Sequence, residues 1–216
     1  MYHVAVVGAG AIGNPVAFGL SQHWSVSQIT VIDADRIVLS NLARQPWYQA
    51  PDIGAYKAPM LVERVGGHNP AVKWRAVTEM LREGNVDDLL ADVDLVIDAT
   101  DNWETRLTIQ DWAAKWQRPW IFNSAVRLEG MSLGLIPGGP CLRCWFGTSQ
   151  TEGPRCFEAG VLGSVTLAVA GQAITLFDQW VRHPKKPSGL WLVDGIDGKF
   201  RVISPTAMRC SHYGNG

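Results

Sequence analysis

Residues 4–20 read VAVVGAGAIGNPVAFGL and residues 29–45 read ITVIDADRIVLSNLARQ. The first stretch places three glycines of a G-x-G-x-x-G fingerprint (Gly8, Gly10 and Gly13) between a strand-like apolar run and a helix-like pattern. The second closes another apolar run on Asp33, an acid about twenty residues further on, as the fingerprint requires. Glycines let the backbone approach a phosphate, the helix N-terminus offers free N–H groups, and the acid can bind ribose hydroxyls. The two stretches together predict a nucleotide site.

Strand-like and helix-like segments alternate up to about residue 124, which predicts a parallel sheet with right-handed crossovers. Residues 127–136 then read as a strand without a following helix, and residues 137–158 as a long loop. Two last apolar runs flank a hairpin-like turn at 194–198. We therefore predict an α/β, Rossmann-like mixed sheet, mostly parallel with an antiparallel edge and with helices on both faces. The length favours one domain over residues 1–216.

The segment from Ala159 to Phe177 has no charge and is nearly long enough to span a bilayer. It contains Gly, Ser, Thr and Gln residues that make a membrane helix unfavourable. We predict a buried core helix that extends to about Val181, and no membrane association.

The composition limits the classes of partner. A formal net charge of −1 gives no electrostatic footprint for nucleic acid, which favours proteins or small molecules. Only 18% of the residues are charged, against the usual quarter, so we expect an oligomer. No basic, signal-like segment precedes the first strand, and two of the four cysteines form a C-x-x-C pair, so we expect a reducing, cytoplasmic setting.

The fingerprint alone suits a nicotinamide dehydrogenase as well as an ATP site. Arg44, with Asn41 nearby, offers a fixed guanidinium that a triphosphate needs and a dehydrogenase does not, although Arg44 could also form a surface ion pair. Lys57 opens the next helical pattern and could equally be a solvated lysine. Asp101 follows an apolar strand, where a carboxylate can bind Mg²⁺ or simply cap the following helix.

Several motifs together resemble the ThiF/MoeB/HesA family, relatives of the ubiquitin-activating enzymes. They are GAGAIG (8–13), DADRIVLSNLARQ (33–45), the pair Gly54 and Lys57, DATDNWETR (98–106), CLRC (141–144) and CFEAGVLG (156–163). The resemblance covers nearly the whole chain.

The resemblance implies ATP-dependent adenylation of the C-terminal glycine of a small ubiquitin-like or sulfur-carrier protein ending in Gly-Gly, with release of pyrophosphate. Arg44 and Lys57 would stabilise charge on the α-phosphate, Asp101 would hold Mg²⁺, and Asp33 and Asp35 would surround the ribose. The residues that the resemblance assigns to the nucleotide are Gly8, Gly10, Gly13, Asp33, Asp35, Asn41, Arg44, Lys57, Asp101 and Asn102. It also implies a homodimer and a downstream conjugating or sulfur-transfer protein.

The family joins two C-x-x-C pairs around zinc. Here the first pair is Cys141 and Cys144, but the second reads Cys210-Ser211-His212-Tyr213, with tyrosine in one ligand position. We expect His212 to complete a Cys3His zinc site in a C-terminal tail, the alternative being a lost site. Cys156 is the remaining thiol; in some members a cysteine in this loop attacks the adenylate, and in others it is not required.

Relatives often carry helices before the first strand that donate an arginine to the partner's ATP site. This chain starts at the strand, so we expect that arginine to come from elsewhere or to be missing, and Arg106 is a candidate on the phosphate side. A non-catalytic protein that binds a ubiquitin-like partner, an NAD-dependent oxidoreductase and a tRNA-modifying relative remain as alternatives.

Overall fold

The computed structural model describes residues 1–147, 160–186, 188–204, 210, 212 and 213. Within these residues, eight strands form one sheet. The strands are β1 (Tyr2–Val7), β2 (Val26–Ile32), β3 (Lys73–Val77), β4 (Leu95–Asp98), β5 (Trp120–Val126), β6 (Glu129–Leu135), β7 (Leu190–Asp194) and β8 (Lys199–Ile203). The six α-helices among the described residues are α1 (Gly13–Ser21), α2 (Lys57–Gly66), α3 (Val86–Leu89), α4 (Trp103–Lys115), α5 (Leu142–Phe146) and α6 (Gly163–Arg182). Two short 3₁₀ helices lie at Leu39–Asn41 and Ala50–Asp52.

The strand order is β3-β2-β1-β4-β5-β6-β7-β8. The first five strands in this order are parallel, and β6, β7 and β8 continue the sheet in antiparallel pairing. The predicted mixed sheet with an antiparallel edge is therefore confirmed. The chain leaves β1 in one direction toward β2 and returns on the other side at β4. Ligands of open α/β sheets bind at such a reversal of strand order, beyond the carboxyl ends of the strands.

The two faces of the sheet carry separate hydrophobic clusters. In β1, Val4 and Val6 pack in the cluster that includes α1, α2 and α6, whereas Ala5 and Val7 pack in the cluster that includes α3 and α4. Successive residues of a strand point to opposite faces, so an uninterrupted apolar run such as β1 is buried from both sides. The prediction of helices on both faces is confirmed.

The uncharged segment forms α6, which begins at Gly163 and reaches Arg182. Its Val169, Ala173 and Phe177 are fully buried against the sheet and α1. No helix in the described part of the chain is long and apolar enough to cross a membrane. The prediction of a core helix is confirmed.

The expected loop over residues 137–158 is only partly a loop. The short helix α5 lies inside it and carries Cys144, while Cys141 precedes it as the N-cap residue. A helix of 5 residues has no periodic signal in the sequence, because so short a segment shows barely more than one turn. Cys156 lies outside the described residues.

Candidate active site

A cavity of about 650 Å³ opens at the carboxyl ends of the parallel strands. It lies at the reversal of strand order between β1 and β4, where an open α/β sheet is expected to bind its ligand. Nearly all the residues assigned to a nucleotide line it: Gly8, Gly10, Asp33, Asp35, Asn41, Arg44, Lys57, Asp101 and Asn102. Residues far apart in the sequence thus meet in one cavity because their strands end at the same edge.

The three glycines have different roles. Gly8 has a φ of +95°, and a Cβ atom there would lie 2.7 Å from the Ala99 carbonyl oxygen. At Gly13 a Cβ atom would lie 1.8 Å from the Gly8 carbonyl oxygen. Gly10 instead faces open space, where the nearest atom to an added Cβ is the Gln45 Nε2 at 3.8 Å. Gly8 and Gly13 therefore permit the tight turn between β1 and α1, and Gly10 leaves room for a ligand.

We expect Gly13→Ala to destabilise the protein by about 1–3 kcal/mol, because the methyl group overlaps backbone that cannot move aside cheaply. Urea unfolding followed by tryptophan fluorescence would measure the loss. Gly67→Ala is the matched control, since a Cβ there meets nothing within 4 Å. Equal stability of the two variants would contradict the packing role of Gly13.

Asp33 is held by the backbone around it. Its Oδ2 accepts a hydrogen bond from the Ala9 N–H at 2.6 Å, and its Oδ1 accepts one from the Asp35 N–H at 2.7 Å. Burial raises the pKa of Asp33, while the Lys57 charge and these two N–H donors oppose the rise. The carboxylate is fixed at the cavity wall, and each oxygen keeps a lone pair for a ligand hydroxyl.

Asp35 differs from Asp33 in its hydrogen-bond partners and in its exposure to solvent. Its Oδ2 lies 2.7 Å from the Nζ of Lys57, and its side chain is 67% exposed while that of Lys57 is 9% exposed. Asp35 and Lys57 therefore form an ion pair, although the sequence had assigned Asp35 to the ribose and Lys57 to the phosphates.

The segment after β2 presents Arg44. Asn41 closes the turn by accepting a hydrogen bond from the Val38 N–H, at 3.1 Å, with its side-chain oxygen. The Arg44 guanidinium donates to the Ser40 carbonyl oxygen at 3.0 Å, and no carboxylate of the described residues lies within 4.0 Å of it. Gln45 is 3% exposed, and its Oε1 has no hydrogen-bond partner among the described residues. Among the described residues, a cation without a carboxylate partner and an amide oxygen without a hydrogen-bond donor thus line the same wall as Gly10.

The two polar residues that follow β4, Asp101 and Asn102, have different roles. Asn102 is the N-cap of α4, and its Oδ1 accepts a hydrogen bond from the Thr105 N–H at 2.9 Å. Asp101 is exposed at the cavity and is not needed to cap the helix. Of the two interpretations of Asp101, the capping role is therefore wrong, and its carboxylate is available to a cation.

A buried polar network supports this end of β4. Asp98 is fully buried; it accepts hydrogen bonds from the N–H and the hydroxyl of Thr100 at 2.9 and 2.6 Å, and pairs with Arg106 at 3.3 Å. Arg106 also donates to the carbonyl oxygens of Thr100 and Asn123, and the Asn123 side chain links the Asp98 carbonyl to Ser132. Burial raises the pKa of Asp98, while the Arg106 charge and the Thr100 donors act in the opposite direction.

This network corrects the interpretation of Arg106. The side chain lines the cavity but is only 7% exposed, and its Nε and Nη2 are bound to Asp98 and to two backbone carbonyls, so its main role is to support this end of β4. Sequence reasoning missed Asn123 and Ser132, which carry no motif. Asp98 did give a signal, because a carboxylate inside an otherwise apolar strand needs a buried partner.

Tyr48 is another residue that sequence reasoning missed. Its hydroxyl lies 2.9 Å from the Ala9 carbonyl oxygen and 3.0 Å from that of Lys57. Burial, together with the Asp33 charge, raises its pKa. It connects the glycine turn to the start of α2 and so fixes the two walls that carry the glycines and Lys57.

A second cluster lies near the other end of α4. The ligand atoms of Cys141, Cys144, Cys210 and His212 all lie within 4.8 Å of one another. The Sγ of Cys141 is 3.6 Å from that of Cys144, and the His212 Nδ1 is 3.5 Å from each of these two sulfurs. A tetrahedron with Zn–S bonds of about 2.3 Å has edges of roughly 3.7 Å, so the donor set fits zinc. The tight C-x-H spacing is accommodated.

The protonation of these thiols is uneven. Burial raises the pKa of Cys141 to about 12. Burial also opposes ionisation of Cys210, but the backbone N–H groups of His212 and Tyr213 lower its pKa to about 6. Tyr213, at the position that the resemblance assigns to a fourth zinc ligand, donates a hydrogen bond to Asp111 on α4. The tyrosine therefore attaches the tail to α4, and the imidazole takes the place beside the sulfurs.

The fold and the cavity define a protein of the Rossmann-type nucleotide-binding class. The chain belongs to the ThiF family, whose family model matches residues 1–212. This is the family that the motifs indicated.

Its curated relatives include the sulfur carrier protein adenylyltransferase of Thermus thermophilus, 37% identical over 212 residues, which cover 93% of this chain and 78% of that protein. The SAMP-activating enzyme E1 of Haloferax volcanii is 36% identical over 162 residues, covering 74% of this chain and 60% of that protein. The adenylyltransferase and sulfurtransferase MOCS3 of Anopheles gambiae is 32% identical, and the match spans 49% of its length.

Solved structures show the same fold at lower identity. The crystal structure of E. coli MccB superposes with a TM-score of 0.82 at 17% identity, over 100% of this chain and 65% of that one. PaaA superposes with a TM-score of 0.77 at 21% identity, over 94% of this chain and 64% of that one. These likenesses support the fold.

Proposed function

We propose that this chain adenylates the C-terminal glycine of a small ubiquitin-like or sulfur-carrier protein at the expense of ATP, and that residues 1–216 act as one adenylation domain. One observation carries the proposal. Arg44, Lys57 and Asp101, which come from three separate elements, line one cavity with the glycine turn and Asp33. Two cations and an exposed carboxylate beside a nucleotide turn suit a triphosphate, and they have no task in hydride transfer. The names of the relatives point to the same activity.

The chemistry follows from the charges. A peptide carboxylate attacks the α-phosphorus of ATP, an acyl–phosphate bond forms, and the bond to pyrophosphate breaks. Negative charge grows on the phosphate oxygens, where Arg44 and Lys57 would stabilise it and Asn41 would keep the Arg44 turn in place. Mg²⁺, held by Asp101, would supply further neutralisation of the phosphates when bound. Asp33 would hold the ribose and Gly10 would leave room for the phosphates.

The proposal includes a second step at Cys156. Its thiolate would attack the acyl carbonyl, forming a thioester and releasing AMP. Under this proposal Cys156→Ser keeps adenylation but loses the thioester, as judged by nonreducing gels. Unchanged transfer in that variant would remove the step and leave the adenylation proposal standing.

The proposed activity is tested by exchange of labelled pyrophosphate into ATP. Exchange should require a carrier protein that ends in Gly-Gly and should be lost when the terminal glycine is deleted. A nucleotide-binding protein without catalytic activity would bind the carrier and ATP but show no exchange. Binding of a nicotinamide nucleotide in preference to ATP would instead indicate the oxidoreductase.

We also propose that the Cys3His cluster holds one structural zinc that joins the tail to α5. Metal analysis of purified protein should give about one zinc per chain, and Cys144→Ser should lower this value strongly because one of four ligands is lost. Cys156→Ser, which leaves all four ligands in place, is the matched control. Less than half an equivalent in the native protein would reject the zinc site.

A homodimer and a cytoplasmic location remain predictions. The low charged fraction supports a dimer, and α6 exposes Leu167, 53% accessible, on the face away from the sheet. Light scattering should give twice the mass of one chain. The same proposal anticipates a downstream conjugating or sulfur-transfer protein that receives the activated carrier.

A further inference from the structure

We propose that Asp35 is the counterion of Lys57 before ATP binds, that the triphosphate displaces it, and that it is a positioning residue and not a ribose ligand. This inference rests on the proposed ATP site. When the nucleotide binds, Lys57 would exchange the Asp35 carboxylate for the phosphates.

The backbone holds the two residues side by side. The Lys57 N–H donates to the Asp35 carbonyl oxygen at 2.9 Å, and the neighbouring residues Arg36 and Tyr56 form an isolated antiparallel bridge. Arg36 also stacks over the Tyr56 ring, 3.9 Å from its centroid. The segment after β2 is thereby fixed against the start of α2, so the Lys57 ammonium needs only a side-chain movement to leave Asp35.

Asp33 and Asp35 differ in what holds them. Both oxygens of Asp33 accept backbone N–H groups, one of them from Asp35 itself. The Asp35 carboxylate is two-thirds exposed, and among the described residues it forms an ion pair with Lys57 and is not held by a backbone N–H group. A ribose ligand needs a fixed orientation, which Asp33 has. Asp35 has the freedom that a displaceable counterion needs.

Lys57 is buried and Asp35 is exposed, and this difference favours replacement of Asp35 by the triphosphate. A buried ammonium without a partner is costly, so Lys57 needs a counterion whenever no nucleotide is bound. A triphosphate carries several negative charges and can replace one carboxylate as that partner. Asp35 then returns to water at little cost because it is already largely hydrated. Lys57 is compensated both before and after ATP binds.

The test is Asp35→Asn, which keeps the shape and removes the charge. Titration calorimetry would measure the affinity for ATP, inorganic tripolyphosphate and adenosine. We expect ATP and tripolyphosphate to bind about fivefold more tightly, since the competing carboxylate is gone, and adenosine to bind unchanged. A ribose ligand would give the opposite result, with weaker binding of both adenosine and ATP. That result, or unchanged ATP affinity, would overturn the inference.

A double-mutant cycle shows whether Asp35 acts through Lys57. In a Lys57→Met background, Asp35→Asn should no longer change the affinity for tripolyphosphate. A persistent effect would mean that Asp35 acts on the ligand directly and would reject the inference. Asp88→Asn, at an exposed site on α3, controls for the change of net charge. If the native protein binds no ATP, the proposed function fails as well; if it binds ATP and only the variants disagree, this inference fails alone.

Discussion

Asp101→Ala is expected to lower ATP–pyrophosphate exchange by about 10²-fold or more, which is the scale measured when one preorganised group that stabilises transition-state charge is removed. Asp101 follows β4 at the cavity, is exposed, and is released from helix capping by Asn102. Under the proposed function its carboxylate would hold Mg²⁺ against the phosphates. The exchange assay at saturating ATP and carrier measures the loss.

The same variant should fold as the native protein does. Asp101 is exposed and does not cap α4, so the free energy of unfolding should change by less than about 0.5 kcal/mol. Asp88→Ala is the matched control, an exposed aspartate on α3 outside the cavity, and should keep full exchange. Undiminished exchange in Asp101→Ala would reject the adenylation site as described.

Arg106→Ala is expected to cost about 3–5 kcal/mol of stability, the range for removing one partner of a buried ion pair. The loss has a specific cause. Asp98 is fully buried, and without the guanidinium it would keep only the Thr100 donors to its carboxylate. The carbonyl oxygens of Thr100 and Asn123 would also lose a donor. Urea unfolding followed by tryptophan fluorescence measures the change.

An exposed ion pair provides the control. Arg118 and Asp94 lie 3.5 Å apart with side chains 40% and 36% exposed, so Arg118→Ala should cost less than about 1 kcal/mol. If the two arginine variants lost equal stability, the Asp98–Arg106 pair would not be the support of this end of β4. ATP–pyrophosphate exchange should also fall in Arg106→Ala. Arg106 binds the carbonyl oxygen of Thr100, and Thr100 directly precedes Asp101 in the chain.

The sequence predicted most of the fold because its signals are local. The apolar runs of β1, β2 and β4 specify buried parallel strands, and the changed pattern after β5 specifies the antiparallel edge. Helix α5 was missed because a single turn has no readable period. The residues of the cavity could also be named in advance, since Gly8 to Gly13, Asp33, Arg44, Lys57 and Asp101 occupy motifs with fixed spacing.

What the tertiary structure decided is which of these groups bind one another. The sequence assigned Asp35 to the surroundings of the ribose, offered Arg106 as a candidate on the phosphate side, and left Asp101 open between a Mg²⁺ ligand and a helix cap. The structure pairs Asp35 with Lys57, buries Arg106 against Asp98 and makes Asn102 the cap. It likewise brings His212 to the cysteines of α5. By itself the sequence determined the strands, the glycine turn and the set of groups present at the cavity. Contacts between groups distant along the chain depend on strand order and burial, which spacing does not encode, and so only the folded structure could assign them.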